Sequence, residues 1–154
     1  MGRPGTARDA VRGPARVIFA CVHNAGRSQI AAAFFNELAD PTRASAVSAG
    51  TSPAAAVHPE VVAVMREAGI ELGGAVPRKI TEDLCRGASL LVTMGCGDAC
   101  PVVPGARRDD WPLEDPAGRP LERVRGIRDE IRGRVLGLLS TEGWGRRPDR
   151  DGPA

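Results

Sequence analysis

Residues 21–28, with the sequence Cys-Val-His-Asn-Ala-Gly-Arg-Ser, concentrate groups that could act on an anion. They follow residues 16–20, an apolar run typical of a buried strand, and precede a helix predicted over residues 27–39. A short loop at this junction aims several backbone N–H groups inward, and with the helix N-terminus behind it this makes a site for a tetrahedral oxyanion. Arg27 could bind two oxygens of that anion, and the same positive groups favour a nucleophilic thiolate at Cys21. Ser28 could donate a hydrogen bond to that thiolate.

The spacing Cys-x5-Arg alone is also compatible with a buried cysteine that ends a strand and an ordinary charge at a helix start. The preceding strand, the following helix and the serine after the arginine favour the anion site over this alternative.

Strands and helices alternate along the remaining sequence. Further strands are predicted at residues 46–48, 89–94 and 110–113, and further helices from His58-Pro59-Glu60 to Gly69 and over residues 121–139. This alternation predicts an α/β fold, a parallel sheet with helices on both faces. We expect one domain over residues 15–143, a flexible leader at 1–14 and a flexible tail at 144–154.

Chemically active residues follow three of the predicted strands. Cys21, residues 94–96 and residues 111–115 come after strands whose carboxyl ends should meet at one edge of the sheet. A second thiol pair, Cys96 and Cys100, has a separation of four residues. That spacing suits one turn of helix and would bring the two sulfurs close together.

Bulk composition restricts the possible partners and compartments. The net charge of +2 gives no argument for nucleic acid, and no apolar run approaches the roughly 20 residues that a membrane span needs. The N-terminal residues lack the apolar core of a secretory signal, so we expect a cytoplasmic protein. Its four cysteines should then be thiols, catalytic groups or metal ligands rather than structural bridges.

The segment 17–34 resembles the low-molecular-weight tyrosine phosphatase superfamily, and its Cys-Val-His-Asn-Ala-Gly-Arg-Ser-Gln sequence most resembles the arsenate reductase branch. The resemblance extends to Ser48-Ala49-Gly50, Val92-Thr93-Met94 and residues 111–116, and covers about residues 15–140. It implies a three-layer sandwich with a four-stranded parallel sheet in the order 2-1-3-4. It also implies that phosphate or arsenate is bound by the loop residues Val22, His23, Asn24, Ala25, Gly26, Arg27 and Ser28.

The resemblance further implies a mechanism. Asp115, in the Asp115-Pro116 pair, would be the general acid on a loop over the anion. In thioredoxin-coupled arsenate reductases two redox cysteines form a relay, which here would be Cys96 followed by Cys100. Cys21 would attack arsenate, Cys96 would release arsenite by forming a disulfide with Cys21, and Cys100 would pass that disulfide to thioredoxin.

Two departures from the family pattern affect the choice of substrate and ions. Ala117-Gly118-Arg119 follows Asp115-Pro116 where the phosphatases place ring-binding aromatic residues, and the chain has no tyrosine. We therefore favour a small inorganic oxyanion over phosphotyrosine. Residues 31–33 are alanines where some reductases bind potassium through a glutamate, so we expect no metal and no cofactor.

Three alternatives stay open at this point. The same Cys21, Arg27 and Asp115 could hydrolyse a phosphomonoester. Mycothiol with mycoredoxin could replace thioredoxin as the reductant. A non-enzymatic metal or arsenite binder built on Cys96 and Cys100 is a weaker possibility, since structural zinc sites usually need two such pairs.

Overall fold

Strands and helices alternate in the computed structural model, which describes residues 14–96 and 103–146. The elements are, in chain order, β1 (Ala15–Cys21), α1 (Arg27–Leu38), β2 (Ala44–Gly50), α2 (Pro59–Glu67), α3 (Glu82–Cys85), β3 (Leu90–Thr93), β4 (Arg107–Asp110) and α4 (Leu121–Glu142). Local residues mark the ends of two helices. Pro59 is the first residue of α2, and Gly143, in the left-handed conformation, caps the C-terminus of α4.

All four strands are parallel and lie in the order β2-β1-β3-β4, which confirms the predicted α/β sheet. β1 is central and pairs with a strand on each side, so its backbone groups are satisfied without water and its side chains can be fully apolar. Cys21, the last residue of β1, pairs in register with Gly50, the last residue of β2. The ends of these two strands therefore meet at the same edge of the sheet.

Alternate residues of β1 and β3 enter two separate hydrophobic clusters. Val17, Phe19 and Cys21 belong to the larger cluster, which also contains the buried residues of α1, α2 and α4. Ile18 and Ala20 belong to the smaller cluster, which includes Cys85 at the end of α3. Helices thus lie on both faces of the sheet. α1, α2 and α4 cover the face of the larger cluster, and the short helix α3 lies on the face of the smaller one.

The fourth strand lies three residues earlier than the sequence predicts, at Arg107–Asp110 instead of residues 110–113. The prediction followed the apolar side chains of Trp111 and Leu113. Trp111 instead packs against Phe19, with ring centroids 5.5 Å apart, after the strand has ended. This edge strand is defined by backbone pairing with β3, and its side chains are exposed.

The predicted start of a flexible tail at residue 144 falls within packed structure. The Trp144 ring packs edge-on against Phe35 with centroids 6.0 Å apart. The backbone carbonyl of Trp144 accepts the Asp40 N–H at 2.8 Å, and Gly145 forms an isolated β-bridge with Ala39. Trp144 and Gly145 therefore contact the domain predicted over residues 15–143. No helix within residues 14–96 and 103–146 has the length and apolarity to cross a membrane.

Candidate active site

The loop predicted to carry the chemistry, residues 21–28, connects β1 to α1 at the carboxyl edge of the sheet. We call it the thiol loop. Cys21 is 2% exposed, and α1 begins at Arg27 with Gly26 as its N-cap. The strand, the loop and the helix therefore occur in the order that the sequence predicts.

The backbone carbonyls of the thiol loop face away from its centre. N–H groups of residues 51–58 bind them one after another: Thr51 N to Cys21 O at 3.1 Å, Ser52 N to Val22 O at 2.8 Å, Ala54 N to His23 O at 3.0 Å and His58 N to Ala25 O at 3.0 Å. Within the described part of the chain, no backbone N–H from Val22 to Ser28 has an acceptor. A row of N–H donors beside a helix N-terminus is thus available to an anion.

Gly50 lets the two strand ends approach closely. A Cβ at this position would lie 2.6 Å from the Val22 carbonyl oxygen and 2.9 Å from the Asn24 nitrogen. Any larger residue would therefore push the thiol loop out of position.

A fixed set of hydrogen bonds holds the Cys21 thiol. Asn24 is fully buried in the left-handed conformation, with φ of 51°, and its Oδ1 accepts the backbone N–H of Arg78 at 2.9 Å. Because Oδ1 is the acceptor, Nδ2 is the group that donates to Ser28 Oγ at 2.7 Å. Ser28 can then give its own proton to Cys21 Sγ, 2.8 Å away, a bond that stabilises a thiolate.

Gln29 completes this set in a role that was not predicted from the sequence. Its Nε2 donates to the Asn24 carbonyl at 3.1 Å and to Asn24 Oδ1 at 3.3 Å, so it fixes both the backbone and the side chain of Asn24. A polar residue on the buried face of a predicted helix was the only available signal.

Arg27 is buried, with 8% of the residue exposed, and its guanidinium lies between the thiol loop and residues that follow β3 and β4. Nη1 donates to the Leu113 carbonyl at 3.3 Å, and Nη2 is 3.7 Å from Asp115 Oδ2. Gly95, directly after β3, has φ of +104°, and a Cβ there would lie 2.5 Å from Nη1. The absence of a side chain at Gly95 therefore makes room for the arginine.

Asp115 lies at the mouth of the site on residues 113–118, which we call the acid loop. Its side chain is 43% exposed, and Oδ1 accepts the Ala117 N–H at 3.0 Å. Pro116 packs on the thiol loop, where a Cβ at Gly26 would lie 2.8 Å from Pro116 Cγ. The structure thus brings the predicted guanidinium and carboxyl group together beside the loop that carries the predicted thiol.

The second predicted thiol lies near the first strand but in a different cluster. Cys96 Sγ is 3.9 Å from the carbonyl oxygen of Ala20, the residue before Cys21. Cys96 is disulfide-bonded and buried in the smaller cluster, whereas Cys21 and Cys85 are free thiols. Cys100 lies outside the described residues.

All five aromatic residues of the chain lie within residues 14–146, and none lines the mouth of the site. Phe19, Phe34, Phe35 and Trp111 are buried, and Trp144 packs on Phe35. Among the residues that the structure describes, no group of three His, Cys, Asp or Glu side chains is placed to hold a metal ion.

Comparison with known proteins shows the family of this chain. The family model described as low molecular weight phosphotyrosine protein phosphatase matches residues 16–143. An arsenate reductase homologue from Halobacterium salinarum is 40% identical over 127 residues, which cover 79% of this chain and 88% of the relative.

Several solved structures with more than 25% identity share the fold, among them the following two. The thioredoxin-dependent arsenate reductase of Corynebacterium glutamicum is 35% identical with a TM-score of 0.72, covering 89% of this chain and 71% of that one. An arsenate reductase in the phosphate binding state is 30% identical with a TM-score of 0.72, covering 82% of this chain and 98% of the other. The chain therefore belongs to the low molecular weight phosphotyrosine protein phosphatase family, and its similarity includes the arsenate reductases of that fold.

Proposed function

We propose that this enzyme reduces arsenate to arsenite, with Cys21 as the nucleophile and thioredoxin as the final reductant. The observation that carries the proposal is the position of Cys96, whose Sγ is 3.9 Å from the Ala20 carbonyl, one residue before the nucleophile. A phosphatase needs one thiol, whereas a reductase needs a second thiol that can reach the first. The buried aromatic residues, which leave no ring-binding wall at the mouth, also favour a small inorganic substrate.

The first step forms a bond between sulfur and arsenic. Arsenate would bind to the N–H groups of the thiol loop and to Arg27. Binding of a tetrahedral oxyanion is supported by the similar arsenate reductase that is described in a phosphate binding state. The Cys21 thiolate, stabilised by Ser28, attacks arsenic. Asp115 gives a proton to the departing oxygen, which leaves as water.

The second step reduces arsenic. Cys96 attacks Cys21 Sγ, the sulfur–arsenic bond breaks, and its electron pair stays on arsenic, so that As(V) becomes arsenite. Because Cys21 and Cys96 lie in different clusters, the residues after β3 must shift for this attack. Cys100 would then attack Cys96, release the Cys21 thiolate and present a disulfide to thioredoxin.

The state of the cysteines is consistent with the end of that relay, since Cys96 is disulfide-bonded while Cys21 is free. Thioredoxin is proposed as the reductant because the similar Corynebacterium glutamicum enzyme is thioredoxin-dependent. Mycothiol with mycoredoxin is the second candidate reductant.

Single-turnover chemistry tests this proposal. Fully reduced protein mixed with arsenate should release one arsenite per chain and lose two thiols, mapped first to Cys21 and Cys96. Cys96→Ser should form no arsenite beyond background, while Cys85→Ser should behave as wild type because Cys85 is a buried thiol outside the relay. A Cys96→Ser protein that turns over many times with thioredoxin would contradict the relay.

Phosphomonoester hydrolysis is the second candidate function, because Cys21, Arg27 and Asp115 occur together in a member of a phosphatase family. It predicts saturable hydrolysis of an aryl phosphate that does not change when Cys96 and Cys100 are both replaced by serine.

A further inference from the structure

Glu60 contacts the acid loop from a different element. It lies in the first turn of α2, and its Oε2 accepts the backbone N–H of Gly118 at 2.7 Å. Gly118 is three residues after Asp115 and has φ of +73°, a conformation that favours glycine. The hydrogen bond therefore fixes the turn that carries the carboxyl group of Asp115.

The same end of α2 is attached to the thiol loop. The backbone N–H of His58, the residue before the helix, donates to the Ala25 carbonyl at 3.0 Å. Pro116 of the acid loop packs against Gly26 next to it. The first turn of α2 thus connects the loop that holds the nucleophile to the loop that holds the carboxyl group.

The charge on Glu60 strengthens the connection. Its pKa is lowered by hydrogen bonds from its own backbone N–H and then from Gly118, while burial and the nearby Asp115 carboxyl act in the opposite direction. Glu60 is therefore ionised at neutral pH, and a hydrogen bond to a carboxylate is stronger than one between neutral groups.

A second attachment lies on the other side of the acid loop. Glu114 binds Arg119 Nε at 3.0 Å and Arg123 Nε, on α4, at 2.8 Å. The ion pair between Glu114 and Arg123 would keep the acid loop attached to α4 without Glu60. Loss of Glu60 should therefore misplace the acid loop rather than release it.

We propose that Glu60 is a positioning residue for Asp115: by holding the Gly118 N–H it sets the distance of the carboxyl group from the anion on the thiol loop. The proposal rests on the proposed role of Asp115 as the acid. Glu60 itself would not contact the substrate.

The test compares Glu60→Ala, Glu60→Gln and Asp115→Asn in single-turnover arsenite formation, with phosphate affinity measured by calorimetry. Asp115→Asn should slow arsenite formation by about a hundredfold, and Glu60→Ala by on the order of tenfold. Phosphate affinity of Glu60→Ala should stay within about twofold of wild type, because the anion donors are on the thiol loop. Glu60→Gln keeps an acceptor oxygen for Gly118 and should recover most of the rate.

Glu122→Ala is the matched control, since Glu122 is the acidic residue in the first turn of α4 and is exposed. It should change neither quantity. An impaired Asp115→Asn beside a Glu60→Ala of wild-type rate, or a Glu60→Ala that loses rate and phosphate affinity together, would overturn the positioning role alone. A wild-type rate in Asp115→Asn would overturn the acid role and the inference with it.

Discussion

Cys21 Sγ lies 2.8 Å from Ser28 Oγ, which also accepts a hydrogen bond from Asn24 Nδ2 at 2.7 Å. The Ser28 hydroxyl can therefore donate its proton to the sulfur, as we expect of a group that stabilises a Cys21 thiolate.

Replacing Ser28 with alanine should make Cys21 less reactive. A hydrogen bond to a charged group contributes about 1.5–3 kcal/mol, so alkylation of Cys21 at neutral pH should slow by roughly tenfold or more. Stopped-flow reaction with iodoacetamide measures the rate. Ser45→Ala, on the exposed side of β2, is the control, and equal rates in wild type and Ser28→Ala would refute the assigned hydrogen bond.

Gly95→Ala should weaken anion binding through Arg27. The new Cβ would lie 2.5 Å from Nη1, so the guanidinium must leave its position. We expect phosphate affinity to fall by about tenfold or more, since a charged hydrogen bond is lost. Calorimetric titration with phosphate measures the change.

Gly87→Ala is the control for Gly95→Ala. It also places a side chain at positive φ, but without a contact to Arg27. Gly87 has φ of +80° and no atom within 4 Å of the added Cβ. Both variants should lose about 1–3 kcal/mol of stability, but only Gly95→Ala should lose phosphate affinity. Equal phosphate affinities in the two variants would show that Gly95 does not serve the arginine.

Cys85 should stay unreactive at neutral pH. Burial raises the pKa of its thiol above 9.0, against a smaller opposing effect of Arg16. The folded protein therefore keeps the proton when the unfolded chain has lost it, so stability falls as the pH rises through about 9. Mass mapping after brief alkylation should find label on Cys21 and none on Cys85. Cys85→Ala should lose less stability than wild type between neutral and alkaline pH, and identical pH dependence would contradict this assignment.

Truncation after residue 143 should destabilise the domain. It removes the Trp144 ring from Phe35 and the hydrogen bond from Asp40 N to the Trp144 carbonyl. We expect a loss of about 1–3 kcal/mol in the free energy of unfolding, measured by urea denaturation. A chain ending at residue 146 keeps these contacts and should match the full-length protein. A chain ending at residue 143 that is as stable as the full-length protein would support the domain boundary predicted from sequence.

The sheet, its flanking helices and the thiol loop could be predicted because their signals are local. An apolar run, a helical repeat and the spacing of Cys21 and Arg27 each lie within one short segment. The order of the strands came from resemblance to a family rather than from the residues, since pairing is set by contacts between distant segments.

The supporting residues of the site could not be predicted for the same reason. Gly50 leaves room for the thiol loop, and Gly95 leaves room for the Arg27 side chain. In each case the two parts that meet are distant in sequence. Glu60 meets Gly118 across 58 residues. β4 was misplaced because an exposed edge strand carries no apolar pattern, while the buried Trp111 beside it does.

Arsenate-dependent NADPH oxidation through thioredoxin reductase and thioredoxin tests the central claim most directly, with a mycothiol and mycoredoxin system run in parallel. Wild type should sustain many turnovers with thioredoxin, Cys21→Ser should show none, and Cys85→Ser should match wild type. No arsenate-dependent oxidation with either reductant, alongside efficient hydrolysis of a phosphopeptide, would contradict arsenate reduction and assign the enzyme to phosphomonoester hydrolysis.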